Sequence, residues 1–150
     1  MTSIIWADIN IVADGDDILG WSAWSAITGE RLFSNERGEL SIAENVVAIG
    51  DDITGRTAWS AFTGEQLFRK ELGVIKLGGN AVAIGNDYTG WTCKSAVTGE
   101  KLFSKTPGDI RIAGNIVSLK NIRSRIKSWS AHTGKVLYLD NENAIVATLE

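Results

Sequence analysis

The chain has 150 residues, of which 44% are hydrophobic, and a formal net charge of −3. This length and composition are typical of one globular domain with its own core and exclude a disordered chain. No apolar run approaches the roughly 18 residues that a membrane helix needs, and the N-terminal residues lack the basic leader of a signal peptide. Because a single cysteine excludes an intrachain disulfide framework, we expect a cytoplasmic protein.

The dominant feature of the sequence is a repeat with a period of 35 residues. An Asn-led apolar block recurs at positions 10–13, 45–48, 80–83 and 115–118. A Thr-Gly pair recurs at positions 28–29, 63–64, 98–99 and 133–134, and a leucine–aromatic pair follows it at positions 32–33, 67–68, 102–103 and 137–138. A fixed period between about 20 and 50 residues is typical of solenoids, propellers and arrays. The chain is therefore predicted to contain four copies of one structural unit.

The second copy shows how one unit is built. Residues 38–44 carry apolar side chains in alternation, and residues 46–50 are an apolar run short enough for a strand buried on both faces. Residues 56–62 and 65–70 are predicted as the third and fourth strands, and turn-forming Gly, Asn, Asp and Thr residues separate all four. No segment has a sustained helical period. We therefore predict an all-β chain of four-stranded antiparallel units, which is the architecture of β-propeller blades.

This register divides a single repeat domain into blades. They occupy about residues 3–35, 38–70, 73–105 and 108–140. Residues 143–149 are a fifth copy of the innermost strand, which is one strand more than four blades need. Propellers typically hold about four to eight blades, and two chains would supply eight. We therefore expect a homodimer that closes the ring and covers the open ends of both chains.

Charge is distributed unevenly along the chain. Residues 1–75 hold 12 acidic and 5 basic residues, a net charge of −7, and residues 76–150 hold 6 acidic and 10 basic residues, a net charge of +4. Opposite charge favours contact between the first and last blades of a ring and disfavours pairing of like ends. The alternative is a chance drift of surface charge in a small chain.

One pattern in the repeat carries a resemblance to a known family. In the second copy it is Ala58-x-Ser60-x-x-Thr63-Gly64-Glu65-x-Leu67-Phe68. This resembles the PQQ-like repeat of quinoprotein β-propellers and outer-membrane assembly propellers, whose blades carry Ala-x-Asp-x-x-Thr-Gly-Lys-x-x-Trp. The chain departs from that pattern by having Ser for the usual Asp and Phe or Tyr for the usual Trp.

The resemblance implies a strand order that runs from an inner strand at 38–44 to an outer strand at 65–70. It also implies that the terminal aromatic residue locks one blade to the next. Family members that bind PQQ use a vicinal cysteine pair and calcium ligands in a complete eight-bladed ring. Because this chain has only one cysteine, it resembles the non-enzymatic propellers of the family, and we expect no cofactor.

Candidate metal ligands and nucleophiles are predicted to be structural. Asp14-Gly15-Asp16-Asp17 resembles a calcium loop, but its counterparts lie in the same turn, where Asp and Asn form local hydrogen bonds. His132 is the only histidine, and with one cysteine this excludes a zinc site built from several such ligands. His132 is predicted to fill a partly apolar strand position, and Cys93 to be a small packed residue. We therefore expect neither a metal site nor an enzyme.

Tryptophan recurs in two columns of the repeat. Trp24, Trp59 and Trp129 share one column with Lys94, and Trp21 and Trp91 share another with Arg56 and Ile126. Repeated aromatic faces can form platforms for glycans or other ligands. The alternative is that they pack between sheets. We expect the Trp24 column to pack and the Trp21 column, where Arg56 can replace Trp, to lie nearer the surface.

The fourth copy is the most basic. Arg123, Arg125 and Lys127 are predicted to alternate on one face of an extended strand. Such a patch can bind a polyanion, but the net charge of −3 argues against a dedicated nucleic-acid protein, and an acidic partner blade fits the same residues.

The sequence favours a non-catalytic binding or assembly scaffold with a protein partner. A carbohydrate-binding propeller with repeated aromatic sites is the alternative. The candidate binding surface lies where the copies differ, at Trp21, Arg56, Trp91, Lys94, Arg123, Arg125, Lys127 and His132.

Overall fold

The computed structural model describes residues 4–140 and 145–147. These residues form seventeen β-strands arranged in four antiparallel sheets. This arrangement confirms the predicted all-β fold of four-stranded units. No helix in the described ranges is long and apolar enough to span a membrane.

Each sheet is one blade of a propeller-like repeat and contains consecutive strands in chain order. Blade 1 contains β1 (Ile4–Asp8), β2 (Ile11–Asp16), β3 (Gly20–Ser25) and β4 (Arg31–Glu36). Blade 2 contains β5 (Glu39–Ala43), β6 (Val46–Asp51), β7 (Gly55–Ser60) and β8 (Gln66–Glu71). Blade 3 contains β9 (Val74–Gly78), β10 (Ala81–Asn86), β11 (Gly90–Ser95) and β12 (Lys101–Thr106). Blade 4 contains β13 (Asp109–Ala113), β14 (Ile116–Lys120), β15 (Ile126–Ser130) and β16 (Val136–Asp140).

A fifth strand, β17 (Ile145–Ala147), extends the sheet of blade 4. It pairs antiparallel with the outer strand β16, with Val146 opposite Leu139. The sequence predicted residues 143–149 as a copy of an innermost strand, whereas the described part lies at the outer edge. The edge of β16 is the nearest unpaired edge in the chain, and an unpaired edge accepts any following extended segment. Residues 143, 144, 148 and 149 lie outside the described residues.

The second strand is apolar in blades 2 and 3 because both of its faces are covered. In β6, residues 46–50 are all buried, as the sequence predicted. Gly50 is required where β6 meets β7. Its φ is +142°, and a Cβ there would lie 2.1 Å from the Gly55 carbonyl oxygen.

The Ser-x-x-Thr-Gly motif forms the turn between the third and fourth strands. In blade 2, Ser60 Oγ accepts hydrogen bonds from the backbone N–H groups of Phe62 and Thr63, each at 3.1 Å. The Ser60 hydroxyl also donates to the Ala96 carbonyl of blade 3 at 2.6 Å. The motif therefore closes a turn and ties its blade to the next one.

We use the term seam for the interface between two successive blades. At each seam, the downstream face of one blade packs against the upstream face of the following blade. In seam 1–2, Ile11 and Ala23 of blade 1 belong to the same buried cluster as Val47, Ile49 and Trp59 of blade 2. Equivalent clusters join blades 2 and 3 and blades 3 and 4, so the hydrophobic core consists of three repeated seams.

We predict that Ser60→Ala lowers the free energy of unfolding by about 1–3 kcal/mol, because it leaves buried polar groups of blades 2 and 3 without partners. Urea denaturation checks this. Ser34→Ala is the control, since Ser34 is exposed, and we expect a change within about 0.5 kcal/mol. Equal urea midpoints for the two variants would contradict the role of Ser60 in the seam.

Candidate functional site

The Trp21 column lies inside the seams. Trp21, Arg56 and Trp91 are all buried on the downstream faces of blades 1, 2 and 3, so the prediction that this column lies nearer the surface is wrong. Each residue is paired in register with a glycine of the second strand, as Trp21 is with Gly15. Because glycine has no side chain, it leaves room for the large side chain opposite it. The next blade then covers that large side chain.

Most polar atoms of this column have local partners. Trp21 Nε1 donates to Asp17 Oδ1 at 2.8 Å, and Trp91 Nε1 donates to a carboxylate in the equivalent turn. The guanidinium of Arg56 lies 3.0 Å from Asp52 Oδ1 and 3.5 Å from Glu39 Oε1, while its Nε is buried with no partner in the described chain. The buried rings of Trp21 and Trp91 therefore present little aromatic surface on which a sugar ring can stack.

The Trp24 column packs against the terminal aromatic of the preceding blade. Trp59 stacks on Phe33 with ring centroids 4.5 Å apart, and Trp129 meets Phe103 at the same distance. Both tryptophans are buried, which confirms the predicted packing for these two. Trp24, on the upstream face of blade 1, is only half-buried.

Lys94 occupies the same column in seam 2–3. Its Nζ donates to the Leu67 carbonyl at 2.7 Å and lies 5.1 Å from the centre of the Phe68 ring. The ammonium group thus contacts the terminal aromatic ring of the preceding blade by a cation–π interaction, where the other two seams use an indole ring. A cleft of about 710 Å³ opens beside it and is also lined by Arg69, Lys101 and Lys105.

The basic segment of blade 4 is not an extended strand. Arg123 lies in a turn and Arg125 directly follows it; of the three basic residues only Lys127 belongs to β15. The Asn121 side chain accepts hydrogen bonds from the backbone N–H groups of Arg123 and Arg125 at 2.9 and 3.0 Å, and this local bonding closes the turn. Lys127 Nζ lies 5.1 Å from the Trp129 ring. The predicted alternation on one strand face is therefore wrong.

His132 lies in an exposed turn instead of the strand position that the sequence predicted. Its backbone N–H donates to Ser130 Oγ at 3.1 Å, because the turn motif uses this position in every blade. The eight candidate residues thus lie in different seams and turns, and the structure does not bring them together into one site.

The acidic turns are closed by local hydrogen bonds. Asp16 Oδ1 accepts from the N–H groups of Ile18 and Leu19, and Asp51 makes the same bonds one blade later. The backbone N–H groups of Thr54 and Ile53 hold the pKa of Asp51 below its ordinary value. Within the described ranges, no three His, Cys, Asp or Glu side chains are grouped closely enough to hold a metal ion.

A ladder of asparagine side chains crosses all three seams. The amide of Asn10 donates to Asn45 Oδ1, that of Asn45 to Asn80 Oδ1, and that of Asn80 to Asn115 Oδ1. The sequence predicted these residues only as turn formers. Asparagine recurs at this position in all four copies, while the residue before it varies. This recurrence was the sequence signal from which a specific role for the asparagine side chain could have been predicted.

At the two ends of the row, described residues on the outer faces of blades 1 and 4 are more exposed than their counterparts at the internal seams. On the upstream face of blade 1, Ile5 is 73% exposed, whereas its counterpart Leu40 in blade 2 is 5% exposed. On the downstream face of blade 4, Ile116 is 49% exposed, whereas its counterpart Ile11 in blade 1 is 1% exposed.

We call these surfaces the end faces. The upstream end face comprises Ile5, Val12, Asp14, Trp24 and Ala26, and the downstream end face comprises Ile116, Ser118, Ile126, Ser128 and Tyr138. They repeat the positions that form the internal seams, so each is half of a seam.

No protein-family model matches the chain, and no curated protein matches it. Among solved structures, it is similar to the computationally designed Ika8 protein at 20% identity and a TM-score of 0.40, over 96% of this chain and 54% of that one. It is similar to the designed Ika4 protein at 19% identity and a TM-score of 0.42, over 87% of this chain and 92% of that one. The N-terminal domain of Nup159 matches at 6% identity and a TM-score of 0.44, over 98% of this chain and 44% of that one. The chain spans about half the length of Ika8 and less than half of the Nup159 domain.

We predict that Cys93 makes stability fall at alkaline pH. Burial raises the pKa of its thiol from 9.0 to about 12, so above pH 9 the unfolded state loses a proton that the native state keeps. The contribution of the buried thiol to the free energy of unfolding is therefore intact below about pH 9 and decreases as the pH rises toward 12. Between pH 8 and pH 10, urea denaturation should show a loss about 1 kcal/mol larger than in Cys93→Ala, the matched control.

Alanine is the natural control because Ala23 and Ala58 fill this position in blades 1 and 2. The thiol should also resist alkylation in the native protein and react after unfolding. The same pH dependence in both proteins would show that Cys93 does not carry the effect.

Proposed function

We propose that this protein is a non-catalytic assembly scaffold that acts through protein–protein contacts at its two end faces. The observation that carries the proposal is the exposure of Val12 and Ile116, whose counterparts are buried at every internal seam. An Ile or Val that is buried at a contact contributes about 1.5–3 kcal/mol. The end faces offer several such residues side by side, and an apolar patch of this kind is characteristic of an interaction surface.

The partner that fits best is a second copy that completes the ring. The acidic half of the chain contains the upstream end face, and the basic half contains the downstream end face, so contact between unlike ends is favoured by charge. Two chains of four blades supply eight, which lies within the usual range for propellers. A homodimer also removes both open faces at once.

The type of blade is part of the proposal. The pattern around Ala58, Ser60, Thr63 and Phe68 supports blades of the PQQ-like type. In the structure these residues make turn and seam contacts, which fits a scaffold without a cofactor. The carbohydrate-binding alternative loses its support because Trp21 and Trp91 are buried between blades.

We predict that Val12→Asp dissociates the assembly while the fold remains intact. Val12 is on the upstream end face and partly exposed, so a carboxylate there stays hydrated in the monomer and is desolvated only in a complex. Light scattering should give twice the single-chain mass for the unaltered protein, and at least a tenfold weaker association for the variant.

The matched control is Ile53→Asp, because Ile53 is 88% exposed in a turn of blade 2. It makes the same chemical change outside the end faces and should leave the mass unchanged. Far-ultraviolet circular dichroism confirms that both variants are folded. A single-chain mass for the unaltered protein at every concentration would rule out assembly through a second copy.

A further inference from the structure

The contacts within the internal seams show which residues would pack against each end face. In every seam, one large aliphatic residue of the upstream face shares a buried cluster with two small residues of the preceding blade. The three sets are Ile49 with Ala13 and Ala23, Ile84 with Ala48 and Ala58, and Leu119 with Ala83 and Cys93. This contact is the repeated apolar centre of the seam.

The two end faces depart from this pattern at the same three positions. Asp14 stands where the following blades have Ile49, Ile84 and Leu119, and Ser118 and Ser128 stand where the preceding blades have the small apolar residues. The substitutions lie at opposite ends of the chain. They would meet at one place if blade 1 of one copy packed on blade 4 of another.

The polar groups at these positions are unsatisfied in complementary ways. Asp14 Oδ1 is covered by its own chain and has no hydrogen-bond partner among the described residues, which is costly for a carboxylate. The other carboxylate oxygen, Oδ2, is therefore the one that a donor from a second copy would reach. Ser118 Oγ and Ser128 Oγ lie 2.8 Å apart and share one hydrogen bond. Two hydroxyl groups carry two protons, and the bond between them uses one. The other proton is available for a carboxylate.

We propose that the end faces of two copies pair head to tail, with Asp14 of each copy accepting the one free hydroxyl proton of the Ser118–Ser128 pair of the other. This inference rests on the proposed assembly function and specifies its partner and register. A hydrogen bond to a charged acceptor is about twice as strong as one between neutral groups. The seam between copies is therefore polar at the centre where the internal seams are apolar.

The internal seams supply the rest of the register. By the same contacts, the amide of Asn115 donates to Asn10 Oδ1 of the other copy and continues the asparagine ladder. Ser130 donates to the Ala26 carbonyl, as Ser25, Ser60 and Ser95 donate to alanine carbonyls of the next blade. Tyr138 covers the half-buried Trp24. Each copy has one face of each kind, so two copies form two equivalent contacts and close.

The polar centre also selects the partner. A second upstream face would place Asp14 against another Asp14, and a second downstream face would leave the serine hydroxyls without a carboxylate. Both like-end pairings leave buried polar groups unmatched, which is how interfaces reject wrong partners. The aspartate and serines thus determine the direction of pairing, while the surrounding apolar residues provide burial.

Cross-linking tests the register. In a Cys93→Ala background, a chain with Asn10→Cys is mixed with a chain with Asn115→Cys and treated with a short thiol-specific cross-linker. Head-to-tail pairing gives a covalent dimer from the mixture and none from either variant alone. The intrachain pair Asn45→Cys with Asn80→Cys is the positive control, since these side chains meet across seam 2–3.

A double-mutant cycle tests the chemistry. Asp14→Ala should weaken dimerisation about tenfold or more, and Ser118→Ala with Ser128→Ala should weaken it similarly. Combining all three should cost little more than Asp14→Ala alone, because the groups act on each other. Glu36→Gln, an exposed carboxylate outside the end faces, is the control for loss of one negative charge and should leave dimerisation unchanged.

The outcomes separate the two proposals. A protein that never dimerises contradicts the homodimer of the proposed function and this inference together. A dimer that cross-links through Asn10→Cys alone, or whose Asp14 and serine effects are additive, keeps the assembly function and overturns the register. If the mass measured by light scattering rises above that of two copies as the concentration increases, the proposal that two copies close into a ring is wrong.

Discussion

The structure depends on the fact that each blade has two apolar faces and can cover them only with another blade. The central strand β6 shows this most directly, since residues 46–50 are buried from both sides. A single four-stranded sheet of this composition would expose one or both faces to water, so a repeat unit is stable only in a row. The same requirement leaves the first and last faces of the row uncovered.

Hydrogen bonds across the seams fix the register in which successive blades pack. Burial alone is tolerant of small shifts, whereas the Asn45 amide and the Ser60 hydroxyl each reach one particular acceptor in the next blade. Charged groups enter the seams only where partners are supplied. Arg56 is buried beside Asp52 and Glu39, and Lys94 is held by a carbonyl and an aromatic ring. The seams are therefore apolar interfaces with fixed polar contacts.

The end faces follow the same rules with different residues. Their apolar positions match those of the internal seams, which makes another blade the natural occupant. Their polar positions differ, because Asp14 and Ser118 replace residues that are apolar inside the chain. A contact built this way excludes its own like ends. In the proposed assembly, function thus follows from completing a packing pattern, and the differences among the copies specify how it is completed.

The sequence by itself determined the period, the number of blades and most strand positions, because turns at Thr63-Gly64 and apolar alternation are local properties. Only the tertiary structure decided what covers each side chain. Trp21 was expected nearer the surface because Arg56 shares its column, yet the following blade buries both. Arg123 was expected in a strand, but the Asn121 side chain closes a turn there. The asparagine ladder joins residues 35 positions apart, and such contacts exist only once the blades are placed side by side.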